Sequence, residues 1–268
     1  MEEPFPLVAV DIGNNRAKFG LFVEGADPLP RPQSTFVVPA EEKFDGLAGW
    51  LADVRPAVSW WIASVNRPTA TRLIEWLRDH RPGERLVLLA AGDLPLAVAL
   101  PRPDMVGIDR LVDALAANRL RHPERMAVVA DLGTAITVDA VSREGAFLGG
   151  AILPGIGMSA RALHMFTDLL PLVELHDPEQ PPAVLGTSTV AAIESGLFWG
   201  AVGAIRELAR GLAANCPAGA DLFVTGGTGG VVAKVLSPLA QYHPHLTLAG
   251  IALAAQAVWP RVWAGRPA

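Results

Sequence analysis

Residues 127–141 read AVVADLGTAITVDAV. An apolar run ends on Asp131, Gly133 follows two residues later, and apolar and polar residues alternate after Thr134. A short apolar run is typical of a buried strand, and alternation is typical of a strand with one solvated face. The stretch therefore predicts a β-hairpin whose turn begins Asp-x-Gly-Thr.

A hairpin of the same pattern is predicted 120 residues earlier in the chain. When VAVDIGNNRAKFGLFVEG (8–25) is placed over VVADLGTAITVDAVSREG (128–145) without a gap, Asp11 aligns with Asp131 and Gly13 with Gly133. Strand-like and helix-like segments alternate after each hairpin, which indicates α/β layers. We therefore expect two similarly built α/β domains, with the seam in the basic stretch NRLRHPER (118–125).

Composition narrows the class of protein. The 268 residues are 51% hydrophobic and 18% charged, which allows a large core, and the net charge of −5 argues against a groove for nucleic-acid phosphates. A single cysteine, Cys216, allows neither an internal disulfide nor a cysteine-based zinc site. The segment LTLAGIALAAQAVW is only 14 residues long, too short to span a membrane, and the opening MEEPFP lacks the basic region of a signal peptide. We expect a cytoplasmic protein that binds neither nucleic acid nor membrane.

The two Asp-x-Gly turns could bind phosphate. Glycine exposes backbone N–H groups that bind phosphate oxygens together with a nearby Asn or Thr, and an acid at the strand end can hold a metal ion that also contacts phosphate. Asn14, Asn15 and Thr134 supply donors, and Lys18 supplies a charge. Asp and Gly are common in ordinary turns as well. Two matched hairpins, each with an acid at the end of an apolar strand, favour phosphate binding.

Two further glycine-rich segments suggest ligand binding. LFVTGGTGGVVAKVL (222–236) lies between a predicted strand and a predicted helix, and we interpret it as a nucleotide loop. PGIGMSA (154–160), followed by Glu174, is compatible with a dinucleotide fingerprint, an alternative that leaves both hairpins unexplained. The sequence has no Gly-Lys dipeptide and therefore no Walker A loop, no protein-kinase His-Arg-Asp or Asp-Phe-Gly, and no Gly-x-Ser-x-Gly elbow.

The segment GIDR (107–110) places Asp109 and Arg110 where a helix is predicted to begin. Asp109 could be the N-cap of that helix. Alternatively, Asp109 could take a hydroxyl proton as a general base while Arg110 binds a substrate carboxylate, with Gly107 allowing close approach.

These motifs together resemble the type III pantothenate kinases, of the acetate kinase, sugar kinase, heat-shock 70 and actin superfamily. The family pattern Asp-x-Gly-Asn-Thr-x-x-Lys has a counterpart in DIGNNRAK, with Asn15 in place of Thr. The Tyr that family members carry before Gly-x-Asp-Arg corresponds to Leu100. The remaining matches occur in the family's order: GIDR (107–110), DLGTAITVD (131–139), GGAILPG (149–155) and the Gly-x-x-Thr of residues 186–189.

The resemblance implies a fold and an activity. The fold would be two ribonuclease H-like α/β domains, residues 1–122 and 123–268, with a nucleotide cleft between them. The activity would be ATP-dependent phosphorylation of pantothenate to 4'-phosphopantothenate, the first step of coenzyme A biosynthesis, in a homodimer. The alternative is a non-catalytic nucleotide-binding regulator of the same fold; the intact GIDR favours the enzyme.

The resemblance also implies residue roles. Asp109 would be the general base. The substrate site would contain Gly107, Ile108, Asp109, Arg110, Thr189 and the position of Leu100. The ATP phosphates would be surrounded by Asp11, Ile12, Gly13, Asn14, Asn15, Arg16, Ala17, Lys18 and Thr134. Asp11 would lie near Mg²⁺, and Asp131 would hold a monovalent cation, K⁺ or NH₄⁺.

Overall fold

The computed structural model describes residues 4–25, 28–54, 57–174, 180–214 and 216–263. The chain divides into two compact units, residues 1–120 with 245–268, and residues 121–244. The boundary between residues 120 and 121 lies inside the basic stretch 118–125, where the sequence predicts the seam between the domains. Among the described residues, no helix is long and apolar enough to cross a membrane.

Unit 1 is built around a five-stranded sheet of order β3-β2-β1-β4-β5. Its elements are β1 (Leu7–Ile12), β2 (Arg16–Phe22), β3 (Ser34–Pro39), α1 (Asp45–Trp50), β4 (Ser59–Ser64), α2 (Arg67–His80), β5 (Arg85–Leu88), β6 (Ala97–Val98), α3 (Ile108–Leu120) and, from the end of the chain, α7 (Leu246–Trp263). β1 pairs antiparallel with β2 and parallel with β4. Because every residue of β1 is buried, this strand forms the centre of the unit.

Two contacts explain how the helices of unit 1 are placed. The Asn66 side chain caps α2 by accepting a hydrogen bond from the Thr69 N–H at 3.2 Å. α7 packs closely on α3 because Gly250 has no side chain, and a Cβ there would collide with the backbone carbonyl of Val112. The sequence prediction gave residues 245–268 to the second domain, whereas their contacts place them in unit 1.

Unit 2 contains its own sheet, in which the strands of the unit lie in the order β11-β10-β7-β8-β9. The elements are β7 (Met126–Leu132), β8 (Ala135–Val141), β9 (Ala146–Pro154), α4 (Ile156–Met165), α5 (Thr189–Ala213), β10 (Ala220–Gly226), α6 (Gly229–Leu236) and β11 (Ala240–Tyr242). β7 pairs antiparallel with β8 and parallel with β10. One face of this sheet, with Ile136 and Val138, packs into a core that includes Phe198 of α5.

Both predicted hairpins are present, but their registers differ by one residue. Asp11 lies opposite Lys18, whereas Asp131 lies opposite Thr137 and not opposite Val138, which the gap-free alignment would require. The connection after β1 has three residues and the connection after β7 has two. A shift of one residue turns alternate side chains to the other face of a strand. Residues that the sequence repeat aligns therefore occupy equivalent positions up to Gly13 and Gly133, and beyond these glycines the second strands are shifted by one residue.

The dinucleotide alternative for PGIGMSA is wrong. The fingerprint requires a βαβ unit in which the strand after the helix lies parallel to the first strand. The next described strand after α4 is β10, which lies between β7 and β11 and not beside β9. Gly155 instead allows close packing against the turn between β7 and β8, because a Cβ there would lie 2.5 Å from the carbonyl oxygen of Gly133.

Candidate active site

The turn between β1 and β2 forms the first part of the candidate site. The Gly13 N–H donates to the Arg16 carbonyl at 3.0 Å and closes the turn, while Asn14, Asn15 and Arg16 are exposed. The Asn14 carbonyl accepts from the Asn66 side chain at 3.5 Å. The turn therefore presents two amide side chains and one guanidinium to solvent, as a phosphate site requires.

Asp11 and Lys18 form an ion pair at the base of this turn. They are opposite each other in the β1–β2 register, and Lys18 Nζ lies 3.3 Å from Asp11 Oδ2. Asp11 is 7% exposed, whereas its partner reaches further into solvent. Ile12 and Ala17 are buried in the core, so any contact they make with a phosphate would involve only their backbone.

The carboxylate of Asp109 lies at the beginning of α3. The helix starts at Ile108, so Asp109 belongs to its first turn and does not precede it as an N-cap would. The Arg110 N–H donates to Asp109 Oδ1 at 2.9 Å. A Cβ on Gly107 would lie 2.5 Å from the same oxygen. A glycine at 107 therefore leaves room for the carboxylate, which is half-buried at the positive end of the helix.

A cavity of about 760 Å³ lies beside the start of α3 in unit 1. That volume is within the range of small-molecule pockets. Its walls come from the end of β4, from the segment after β5 and from the residues that precede Asp109: Ser64, Val65, Arg67, Leu89, Ala90, Ala91, Gly92, Leu94, Leu96, Val98, Pro103, Asp104, Val106, Gly107 and Ile108. Of the predicted substrate residues, Gly107 and Ile108 line this cavity, whereas Leu100, Asp109, Arg110 and Thr189 are not among its lining residues.

Gly155, which directly follows β9, supports the turn between β7 and β8 through a backbone hydrogen bond. The Gly155 N–H donates to the Thr134 carbonyl at 3.1 Å, and the Gly133 N–H donates to the Ala135 carbonyl at 3.0 Å. The Thr134 side chain is left half-buried at the surface of the turn. The sequence predicted Thr134 as a donor but did not predict that Gly155 supports it.

Asp131 lies at the end of β7, next to Gly226 at the end of β10. Gly226 has φ +90°, and a Cβ on it would lie 2.6 Å from Asp131 Oδ1 and 2.5 Å from the Leu132 carbonyl oxygen. A carboxylate oxygen and a carbonyl oxygen therefore lie within 2.6 Å of one point beside Gly226. Oxygen atoms of these two kinds are the ligands that hard cations prefer.

The glycine stretch that begins at Gly226 connects β10 to α6, as the sequence predicts. A second cavity, of about 640 Å³, lies along this stretch, and Gly227, Gly230, Lys234 and Tyr242 are among its lining residues. The Tyr242 ring lies 3.3 Å from the Cβ position of Gly230, and its hydroxyl donates to the Gly226 carbonyl at 3.3 Å. A flat, partly apolar ligand would find an aromatic wall here.

Thr189 is the first residue of α5, and it is exposed. Ser188 caps the helix by accepting from the Ala191 N–H at 3.2 Å. The preceding Gly186 packs on this first turn so closely that a Cβ would lie 2.5 Å from the Ala192 Cα. The predicted Gly-x-x-Thr pattern is thus a glycine-supported helix start, which holds the Thr189 hydroxyl at the surface of unit 2.

Each unit therefore holds part of the predicted set. Unit 1 brings together the turn of residues 11–18 and the start of α3, which are joined through Val65: its N–H donates to the Ile12 carbonyl at 3.0 Å, and its Cγ1 lies 3.6 Å from the Cβ position of Gly107. Unit 2 holds Asp131, Thr134 and Thr189. Across the described ranges, no group of three or more His, Cys, Asp or Glu is arranged to hold a metal ion. A cation bound here would therefore take some of its ligands from backbone carbonyl groups or from the oxygen atoms of a bound substrate.

Two α/β units, each opening with an Asp-x-Gly hairpin and the second containing a glycine stretch before a helix, form the two-unit α/β fold that the sequence predicts. The sequence comparison identifies the family: the type III pantothenate kinase profile matches residues 7–211. The chain belongs to the type III pantothenate kinase family.

Curated relatives agree with this assignment. A type III pantothenate kinase of Paramagnetospirillum magneticum is 36% identical over 259 residues, which cover 91% of this chain and 95% of the relative. A type III pantothenate kinase of Dehalococcoides mccartyi is 35% identical over 251 residues, with 91% and 95% covered.

Solved structures share the fold at low sequence identity. The activator of 2-hydroxyisocaproyl-CoA dehydratase from Clostridium difficile superposes with a TM-score of 0.52 at 12% identity and covers 98% of both chains. The ethanolamine utilization protein EutJ from Carboxydothermus hydrogenoformans gives 0.51 at 13% identity, with 94% of this chain and 91% of EutJ covered. The predicted class of two α/β units is confirmed, and the nucleotide cleft between them stays a prediction.

Proposed function

We propose that this protein transfers the γ-phosphoryl group of ATP to the 4'-hydroxyl of pantothenate, with Asp109 as the general base. The observation that carries the proposal is the carboxylate of Asp109 at the start of α3, held by the Arg110 N–H and given room by Gly107, directly after the residues Gly107 and Ile108 that line a small-molecule cavity. Family membership supports pantothenate and ATP as the substrates.

The chemistry requires little of the protein besides placement and charge. The Asp109 carboxylate accepts the proton of the pantothenate hydroxyl as that oxygen attacks the γ-phosphorus. The bond from phosphorus to the bridging oxygen breaks, and the electron pair leaves on ADP. The product is 4'-phosphopantothenate. A carboxylate suits this role because Asp is one of the side chains that act as general bases, and in protein kinases an Asp accepts the proton of the substrate hydroxyl.

The exposed turn of residues 13–16 is the proposed phosphate site, with Lys18 adding charge. Magnesium carried by ATP would neutralise phosphate charge. Asp11 fits this group because magnesium is commonly bound through one carboxylate together with phosphate oxygens and water. The second phosphate turn is assigned to Thr134, and the cavity beside Tyr242 is assigned to the flat base of the nucleotide. The dehydratase activator of similar fold holds bound ADPNP, which is consistent with a nucleotide site.

A monovalent cation, K⁺ or NH₄⁺, is proposed at Asp131. The pairing of Asp131 Oδ1 with the Leu132 carbonyl beside Gly226 supports this, because both are oxygen ligands and a side chain at 226 would fill the space. When bound, the cation would supply positive charge next to the second phosphate turn.

The proposed functional form is a homodimer. Several large apolar side chains at the last residue of α4, just after it and before α5 are strongly exposed: Met165 (72%), Phe166 (83%), Leu169 (87%), Val184 (73%) and Leu185 (80%). Apolar surfaces of this kind mark interaction sites. Leu185 precedes Thr189 by four residues, so a second copy bound here would also lie next to a predicted substrate residue.

The deciding experiment measures ADP release from ATP by the purified protein, with and without pantothenate. We expect release that requires pantothenate, and a loss of about 10²–10⁴-fold in kcat for Asp109→Asn with nucleotide binding retained. ATP binding without turnover on pantothenate would instead support the non-catalytic regulator. Near-normal turnover by Asp109→Asn would restrict Asp109 to a structural role at the helix start.

A further inference from the structure

The cavity beside Gly107 has a mostly apolar wall and one available cationic side chain. Its apolar lining residues are Leu89, Leu94, Leu96, Val98, Val106 and Ile108. Arg67 and Asp104 are its charged lining residues. Asp104 already forms a two-pronged ion pair with Arg102, whose Nη2 lies 2.7 Å from Asp104 Oδ2. The guanidinium of Arg67 is therefore the charge that the cavity offers to a ligand.

Local structure does not account for Arg67. It is the first residue of α2, where a positive charge opposes the helix dipole. Its side chain is exposed, and within the described ranges its guanidinium forms no hydrogen bond or ion pair. Arg72 of the same helix differs, because it bonds the Ala40 carbonyl and the Thr69 hydroxyl. Arg67 thus carries an unneutralised charge on a cavity wall.

The turn that carries Arg67 also contacts the catalytic elements. Val65, two residues earlier, receives its position from a hydrogen bond to the Ile12 carbonyl at 3.0 Å and lies against Gly107. Both Gly107 and Arg67 line the same cavity. A ligand that fills it can therefore reach the start of α3 with one part and the guanidinium with another.

Pantothenate has the matching distribution of groups. The hydroxyl that is phosphorylated is at one end, two methyl groups are on the neighbouring carbon, and a carboxylate is at the other end. The methyl groups suit an apolar wall, and a guanidinium binds a carboxylate through paired N–H donors. We propose that Arg67 binds the pantothenate carboxylate and selects for a charged acceptor. The inference rests on the proposed function, which supplies the acceptor.

Arg110 is the competing candidate, since the sequence alone suggests it for the carboxylate. Arg110, like Asp109, directly follows the lining residues Gly107 and Ile108 and is not among them, whereas Arg67 is a lining residue. Comparison of the two arginines therefore separates the structural inference from the sequence-based one.

The test compares pantothenate with pantothenyl alcohol, which has a CH₂OH group in place of the carboxylate. In Arg67→Gln we expect the KM for pantothenate to rise about 10- to 100-fold, the factor for losing a hydrogen bond to a charged group. The kcat and the KM for the alcohol should stay near their wild-type values. Arg78→Gln is the matched control, because it removes the same charge from an exposed position of α2 that does not line the cavity.

An equal rise in KM for both acceptors, or a rise for ATP alone, would overturn the inference. So would a carboxylate-selective loss in Arg110→Gln without one in Arg67→Gln. Equilibrium binding of pantothenate, which needs no turnover, decides the point even if phosphorylation fails. A Kd about 10-fold or more weaker in Arg67→Gln supports the inference, and equal values refute it.

Discussion

Gly107 lacks a side chain at the point where a Cβ would lie 2.5 Å from Oδ1 of Asp109. A carbon and an oxygen cannot approach so closely without displacement of one of them. The position of the proposed base therefore depends on a residue that touches no substrate through a side chain.

Gly107→Ala should lower kcat by about 10- to 100-fold, because a misplacement of the order of 1 Å in a reacting group can have an effect of that size. Stability should change by only about 1 kcal/mol, since the oxygen lies at the end of a side chain that can rotate away. Steady-state turnover and denaturant unfolding check both values. Gly49→Ala is the control, because a Cβ at 49 meets nothing within 4 Å; an unchanged kcat in Gly107→Ala would show that Asp109 tolerates displacement.

Asp131→Asn should remove the dependence of turnover on K⁺. The substitution keeps the shape of the side chain and removes the negative charge that would hold the cation beside the Leu132 carbonyl. In the wild type, KCl should also raise the unfolding temperature more than choline chloride does at equal ionic strength, since a bound ligand stabilises the folded state. Retention of both K⁺ effects in Asp131→Asn would place the cation elsewhere.

The sequence predicted the local structure that depends on neighbouring residues. The two hairpins, the strand before Gly226 and the helix after the glycine stretch all have strong apolar patterns, and all are present. The one-residue register difference between the hairpins could not be predicted from the aligned letters. The difference depends on the lengths of the two turns, and both turns begin with the same Asp-x-Gly although their lengths differ.

Other features depend on contacts between distant segments and left no local signal. α7 belongs to unit 1 because Gly250 allows close packing on α3. The sequence around Gly250 does not indicate that α3 is the helix it packs against. Arg67 follows an ordinary helix cap, and only the folded structure shows it on a cavity wall. Gly155 belongs to the family pattern GGAILPG, but the hydrogen bond by which it supports the Thr134 turn is visible only in the folded structure.

Phe166→Glu should convert the proposed dimer to a monomer. Its ring is 83% exposed, so a charge there costs the isolated chain little, whereas burying that charge in an interface is unfavourable. Sedimentation equilibrium or light scattering checks the mass. Leu239→Glu, which changes another exposed apolar residue (67%) that lies outside the set Met165, Phe166, Leu169, Val184 and Leu185, is the control and should stay dimeric. A monomeric wild type, or a dimer that survives Phe166→Glu, would contradict the assignment of this surface.

His245 should make the folded state less stable in mild acid. Burial, and secondarily the charge of Lys18, lower the pKa of His245 below its usual value of 6.5. The unfolded chain therefore binds the proton more readily, so stability is complete above about pH 6.5 and falls as the pH decreases through that value toward the lower folded pKa. His245→Gln does not titrate and should lose less stability between pH 7.5 and 5.5. Because His245 is exposed to solvent, which weakens the effect, the difference should be small, about 1–2 °C in Tm, and an equal loss in both proteins would show that this residue does not contribute.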